Sequence, residues 1–144
     1  MVSIILPVIR PDRVWRCVVA IKANAGVDDY EIVTDVDEER IGCPKMVKQL
    51  VAKSIGDLVC FLGDDTIPQP DFLLNALAAM QDLPDGWGLV GLNDEHQNGN
   101  KLATHWLADK RLLPLLDGEF FHTGYKHTRC DRELTIRCQQ MGRY

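Results

Sequence analysis

The sequence predicts an α/β fold with a mostly parallel central sheet and helices on both faces. Short apolar runs alternate with stretches of helical spacing from Val2 to Leu92, the pattern of successive strand–helix units. The runs Val2–Leu6 and Asp57–Leu62 are almost wholly apolar, as strands covered on both sides are. The first three runs lead into chemically active residues: Pro7 and Arg10, Asp35 and Asp37, Asp64 and Asp65. In open sheets of this kind, ligands bind at the carboxyl ends of the strands.

Each element has its own signal. Val2–Leu6 is β-branched and apolar and is expected to stop at Pro7. Asp12 is the expected N-cap of a helix from about Arg13 to Ala25, with Val14, Val18 and Ile21 at helical spacing and Gly26 as its stop. Tyr30–Thr34 is a second strand, followed by an acidic cluster from Asp35 to Glu39. Pro44 opens a second helix, whose apolar face is Met46, Val47, Leu50, Val51 and Ile55. Asp57–Leu62 is the third strand. A third helix runs from Pro70 or Asp71 to Gln81, and Gly88–Leu92 is a fourth strand. Asn93–Asn100 is polar and reads as a loop. Lys101–Leu107 is a further strand, Asp109–Gly118 holds a short helix or turn, and Arg129–Met141 is a final helix. The whole of 1–144 is expected to form one domain, with no internal repeat.

Composition narrows the function classes. The chain carries 16 basic and 21 acidic residues, a net charge of −5. No basic stripe favours nucleic acid, so an anionic phosphate ligand needs a metal ion or local positive groups. Five scattered cysteines without a Cys-x-x-Cys pair point to a reducing, cytoplasmic setting. The opening Met1–Pro7 lacks the features of a signal peptide, and no apolar run is long enough to span a membrane. No Gly-x-Gly-x-x-Gly follows the first strand, which disfavours a dinucleotide fold.

The most specific signal is the turn Gly63-Asp64-Asp65-Thr66. Two carboxylates beside a glycine at a strand end suit Mg²⁺ or Mn²⁺. The alternative is that both aspartates only shape the turn before Pro68.

Two segments together, Val2–Pro7 and Asp57–Leu73 with its Gly-Asp-Asp-Thr-Ile-Pro-Gln-Pro-Asp-Phe-Leu stretch, resemble family 2 glycosyltransferases of the GT-A fold. The resemblance covers the first half of the chain well and the tail more loosely. It implies a GT-A-like, Rossmann-like sheet and a metal-dependent, hexosyl-type transferase using a nucleoside-diphosphate sugar and Mn²⁺ or Mg²⁺. On this resemblance Asp65 matches the metal-binding aspartate and Asp64 the intervening position. Gly63 departs from the pattern, standing where the first aspartate is usual. Asp35 or Asp37 matches the acidic contact to the nucleotide base, and Pro7 and Arg10 match the turn that lines the base pocket. Asp131 best matches the general base of inverting transfer, followed by Glu133; the alternative for either is an ordinary helix cap.

The tail also holds His122 and His127, candidates for a metal ligand, His127 foremost, or a phosphate contact, with a structural role as the alternative, and Lys126 and Arg129, which add positive charge where a diphosphate would need it. A zinc site from His122, His127, Cys130 and Cys138 fits no common spacing. Trp87 and Trp106 read as core or pocket walls. His105 faces the site if it lies on a strand edge; the alternative, a satisfied core histidine, is preferred. The leading expectation is sugar transfer to an unknown acceptor. The alternatives are a non-catalytic binding module of the same fold and a flavodoxin-like phosphate-handling domain.

Overall fold

The computed structural model describes residues 1–95 and 101–144. Five strands form one sheet in the order β2-β1-β3-β5-β4: β1 (Val2–Val8), β2 (Tyr30–Val36), β3 (Leu58–Phe61), β4 (Leu89–Leu92) and β5 (His105–Asp109). β1 pairs in parallel with β2 and β3, while β5 runs antiparallel between β3 and β4. The expected α/β class and mostly parallel sheet are borne out.

Side-chain alternation along β1 divides the core in two. Val2, Ile4 and Leu6 face one side, where α1 (Val14–Asn24) contributes Cys17 and Ile21 and α3 (Phe72–Gln81) contributes Leu73, Ala76 and Met80. Ile5 faces the other side. There α2 (Cys43–Lys53) packs through Val47 and Leu50, and α4 (Cys130–Gln140) packs through Leu134 and Cys138 around Trp106 and Phe121. Burial on both faces explains the unbroken apolar runs of β1 and β3. Lys110–Leu116 is a 3-10 helix, the short helix expected there.

Several boundaries differ from expectation for identifiable reasons. β1 continues through Pro7 to Val8. Its pairing with β3 has already ended at Ile5↔Phe61, so the missing proline N–H removes no bond on that side. Asp12 is not the N-cap of α1. Arg13 holds that position without a side-chain bond, and the helix starts from backbone bonds of Arg13 and Val14 N–H to the Arg10 carbonyl. Ile55 lies beyond α2 and is 72% exposed. β5 begins at His105 rather than Lys101, because Ala103 N–H bonds to Thr135 Oγ1 in α4 instead of a strand. Asn93–Glu95 is irregular, and the rest of the loop expected over Asn93–Asn100 lies outside the described residues.

A polar knot around the buried Ser3 ties β1 to its neighbours. Ser3 Oγ donates to Glu31 Oε1 at 2.6 Å and accepts Gly56 N–H at 2.8 Å. Glu31 Oε1 also accepts Ile55 N–H. The Ser3 hydroxyl and the Ile55 N–H hold the Glu31 carboxyl below the usual glutamate range, against the opposing effect of burial. The folded state thus binds a proton less readily than the unfolded chain. The stability this supplies is present above the ordinary glutamate value and lost as pH falls through the lowered one. Urea unfolding from pH 7 to pH 3 is expected to show a steeper acid loss for the native chain than for Glu31→Gln.

Candidate functional site

The chain passes from β1 out to β2 and returns to β3 on the other flank of β1. The loops leaving β1 and β3 lead to α1 and α3 on one face and are bonded to each other at the carboxyl edge of the sheet, the edge where open sheets of this kind bind ligands. A cavity of about 270 Å³ lies there, bringing together Pro7 near the end of β1 and Arg10 after it, Asp37 after β2, Gly63, Asp64 and Asp65 after β3, and His127 and Asp131 from the tail. Asp35 does not line it. Its carboxylate turns to Lys53 Nζ at 2.5 Å, which with the lysine's charge lowers its pKa.

The two adjacent aspartates point in different directions. Asp64 is 4% exposed. Its Oδ2 accepts the backbone N–H groups of Ile9 at 2.8 Å and Arg10 at 2.7 Å, clamping the β1 loop to the end of β3. Arg10 Nε lies 3.6 Å from Asp64 Oδ1. Asp65 is open to solvent and its Oδ2 accepts from the Arg10 guanidinium. That bond, with the charges of Asp65 and Asp64, raises the Arg10 pKa. Arg10 thus carries a fixed positive charge at the cavity mouth.

Asp37 lines the cavity with both oxygens engaged: Oδ1 accepts Ile41 N–H at 2.7 Å and Oδ2 accepts Gly42 N–H at 3.0 Å. Gly42 has φ +96°, and a Cβ there would strike the Lys126 carbonyl. The tail loop can therefore pack against the start of α2 only because this residue is glycine.

Asp131 sits in the first turn of α4. Its Oδ1 accepts Arg132 N–H at 2.9 Å, and the positive end of the helix dipole lies beside the carboxylate. Glu133 lies outside the cavity, lining a surface groove with Tyr125 and 3.9 Å from Arg137. The structure thus separates the two carboxylates that the sequence leaves as alternatives. Lys126 and Arg129 line surface grooves away from the cavity. Cys130 and Cys138 are buried thiols, raised by desolvation to about 11 and about 12, and among the described residues they form no zinc cluster with the histidines.

At the site Thr135 escapes sequence reasoning, and His105 takes the less preferred of its two readings. His105, expected in the core, is half-buried and lines the cavity. It stacks on Phe61 with centroids 6.0 Å apart, and its Nε2 lies 3.1 Å from Thr66 Oγ1. Burial lowers its pKa. Thr135 is buried in α4, donating to the Asp131 carbonyl at 2.8 Å while accepting Ala103 N–H at 3.0 Å. It joins the turn carrying Asp131 to the segment that leads into β5. The signal for His105 is topological: an antiparallel β5 places its first residue at the carboxyl end of β3, and no local pattern reports this.

Among the described residues no three His, Cys, Asp or Glu side chains converge as a metal cage. Asp65 nevertheless offers a solvent-facing hard carboxylate, which suits a cation that takes one or two protein carboxylates and completes its shell with substrate phosphates.

No protein-family model and no curated protein matches the sequence. Solved structures do match in shape. Crystal structures of S. aureus TarS, a glycosyltransferase of GT-A type, superpose with a TM-score of 0.69 at 14% identity. They cover 95% of this chain and 33% of the TarS chain, or 54% of the TarS 1–349 chain. TarS 1–349 in complex with UDP matches at 0.69 with 16% identity, over 94% of this chain. The likeness establishes a GT-A-type fold, and the chain spans about a third to a half of the TarS chains it matches. Among the described residues no helix is long and apolar enough to cross a membrane.

Proposed function

We propose that this chain binds a nucleoside-diphosphate sugar in the cavity at the carboxyl ends of β1 and β3 and transfers the sugar to an acceptor hydroxyl with inversion. The observation that carries the reading is the convergence of Arg10, Asp65 and Asp131 on one cavity, within a fold shared with a UDP-binding glycosyltransferase.

Each residue has a distinct task. Pro7 and Asp37 shape the wall on the β1–β2 side, where the base would lie. Arg10, held by Asp65, supplies positive charge for the diphosphate. Asp65 is the protein contact for Mn²⁺ or Mg²⁺, which when bound neutralises charge on the leaving diphosphate. His127 is a further polar contact from the tail. Asp131 takes the proton from the acceptor hydroxyl as that oxygen attacks the anomeric carbon. Asp64 holds the β1 loop so that Arg10 and Asp65 meet.

With one carboxylate facing outward, the cation and the diphosphate should bind together. Titration calorimetry is expected to show little heat with Mn²⁺ alone, weak binding of UDP in chelator, and binding at least about tenfold tighter when both are present. Metal-independent or absent UDP binding would count against the donor site. A panel of nucleotide sugars, assayed for diphosphate release with and without simple acceptors, then separates transfer from binding alone.

A further inference from the structure

Gly63 removes a side chain from the place where the family pattern has its first aspartate. A Cβ built there would lie 3.2 Å from Asp65 Oδ1, 3.4 Å from His105 Nε2 and 3.4 Å from Thr66 Oγ1. Asp65 Oδ1 and His105 Nε2 therefore both border the same small space, which is open because residue 63 is glycine. Both also line the cavity. We propose that His105 Nε2 is the second protein ligand of the diphosphate-bound cation, standing in for the carboxylate missing at Gly63 and making the site select Mn²⁺ over Mg²⁺. The inference rests on the reading of Asp65 as the contact to that cation.

The surroundings of His105 suit the role. β5 fixes its backbone, with Trp106 in register with Phe61 and Gly91. Stacking on Phe61 at an interplanar angle of 17° fixes the ring. The present partner of Nε2 is the Thr66 hydroxyl, a rotor that can turn away and leave the nitrogen lone pair free. An imidazole beside a carboxylate discriminates between metals. Mg²⁺ keeps an oxygen shell, whereas Mn²⁺ accepts a nitrogen ligand more readily. A site with aspartates at both positions would offer oxygen alone.

The test uses the whole chain labelled with ¹⁵N-histidine, loaded with Mn²⁺ and UDP, and read by electron spin-echo spectroscopy. A directly bound histidine nitrogen is expected in the native protein and absent in His105→Asn. In calorimetry the native chain is expected to bind UDP at least about tenfold tighter with Mn²⁺ than with Mg²⁺. In His105→Asn that preference should fall toward parity. The native spectrum needs no variant, and the unfolding midpoint of His105→Asn shows whether its fold is kept. Tight Mn²⁺–UDP binding without histidine coupling overturns this proposal alone, as does coupling that persists in His105→Asn and so belongs to another histidine. Failure to bind Mn²⁺–UDP at all overturns the donor-site reading and this proposal with it.

Discussion

Replacing Asp131 with asparagine is expected to lower the turnover of sugar transfer by about 10²–10⁴-fold, the usual contribution of a positioned general base, while leaving UDP binding unchanged. The asparagine would keep the size of the side chain and could still accept Arg132 N–H through its amide oxygen. It would lose the ability to take a proton. The native carboxylate is only half-buried and faces the cavity, so an acceptor hydroxyl can reach it. Glu133→Gln is the matched control, because Glu133 lies outside the cavity, in grooves with Tyr125 and Arg137. Rates of UDP release at saturating donor and acceptor, together with calorimetric Kd values, check both halves. Asp131→Asn turnover within threefold of the native rate would remove Asp131 from the base role.

The contrast between Asp131 and Glu133 marks where sequence reasoning stops. Alternation and helical spacing are local properties, so the strand–helix order and the two-faced burial of β1 and β3 are legible. The residues after β1, β2 and β3 are legible as a group because parallel strands bring their carboxyl ends to one edge. Which way a side chain turns from that edge is decided by partners distant in sequence. Asp35 turns to Lys53 in α2, while Asp37, two residues on, lines the cavity. His105, in Ala103-Thr104-His105-Trp106, has two readings in the sequence, facing the site from a strand edge or filling the core, and the core is preferred. Its place at the site follows from the antiparallel pairing of β5 with β3, which no window of the sequence reports. Thr135 is similarly silent: a threonine inside a helix gains its meaning only from Ala103 N–H, which it accepts from another segment.

Asp64 and Asp65 are neighbours of identical chemistry, yet their alanine variants are expected to fail in opposite ways. Asp64→Ala should cost about 2–4 kcal/mol of stability, because two charge-assisted bonds to backbone N–H groups are lost, each worth about 1.5–3 kcal/mol before any rehydration. Water from the adjoining cavity can reach the freed Ile9 and Arg10 N–H groups and should keep the loss below the sum. The Arg10 guanidinium would also lose its contact with Asp64 Oδ1, so the β1 loop should loosen and UDP affinity should fall as a consequence. Asp65→Ala removes a side chain that is 55% exposed. Its ion pair with Arg10 lies at the surface, where such pairs contribute little. Stability should therefore stay within about 0.5 kcal/mol of native, while the Mn²⁺-dependent part of UDP binding disappears. Urea unfolding at pH 7, paired with calorimetry on both variants, reads the two effects separately. A stable Asp64→Ala chain would show that the clamp between β1 and β3 does not depend on this carboxylate. An Asp65→Ala chain that still binds UDP more tightly with Mn²⁺ would show that the cation is held elsewhere.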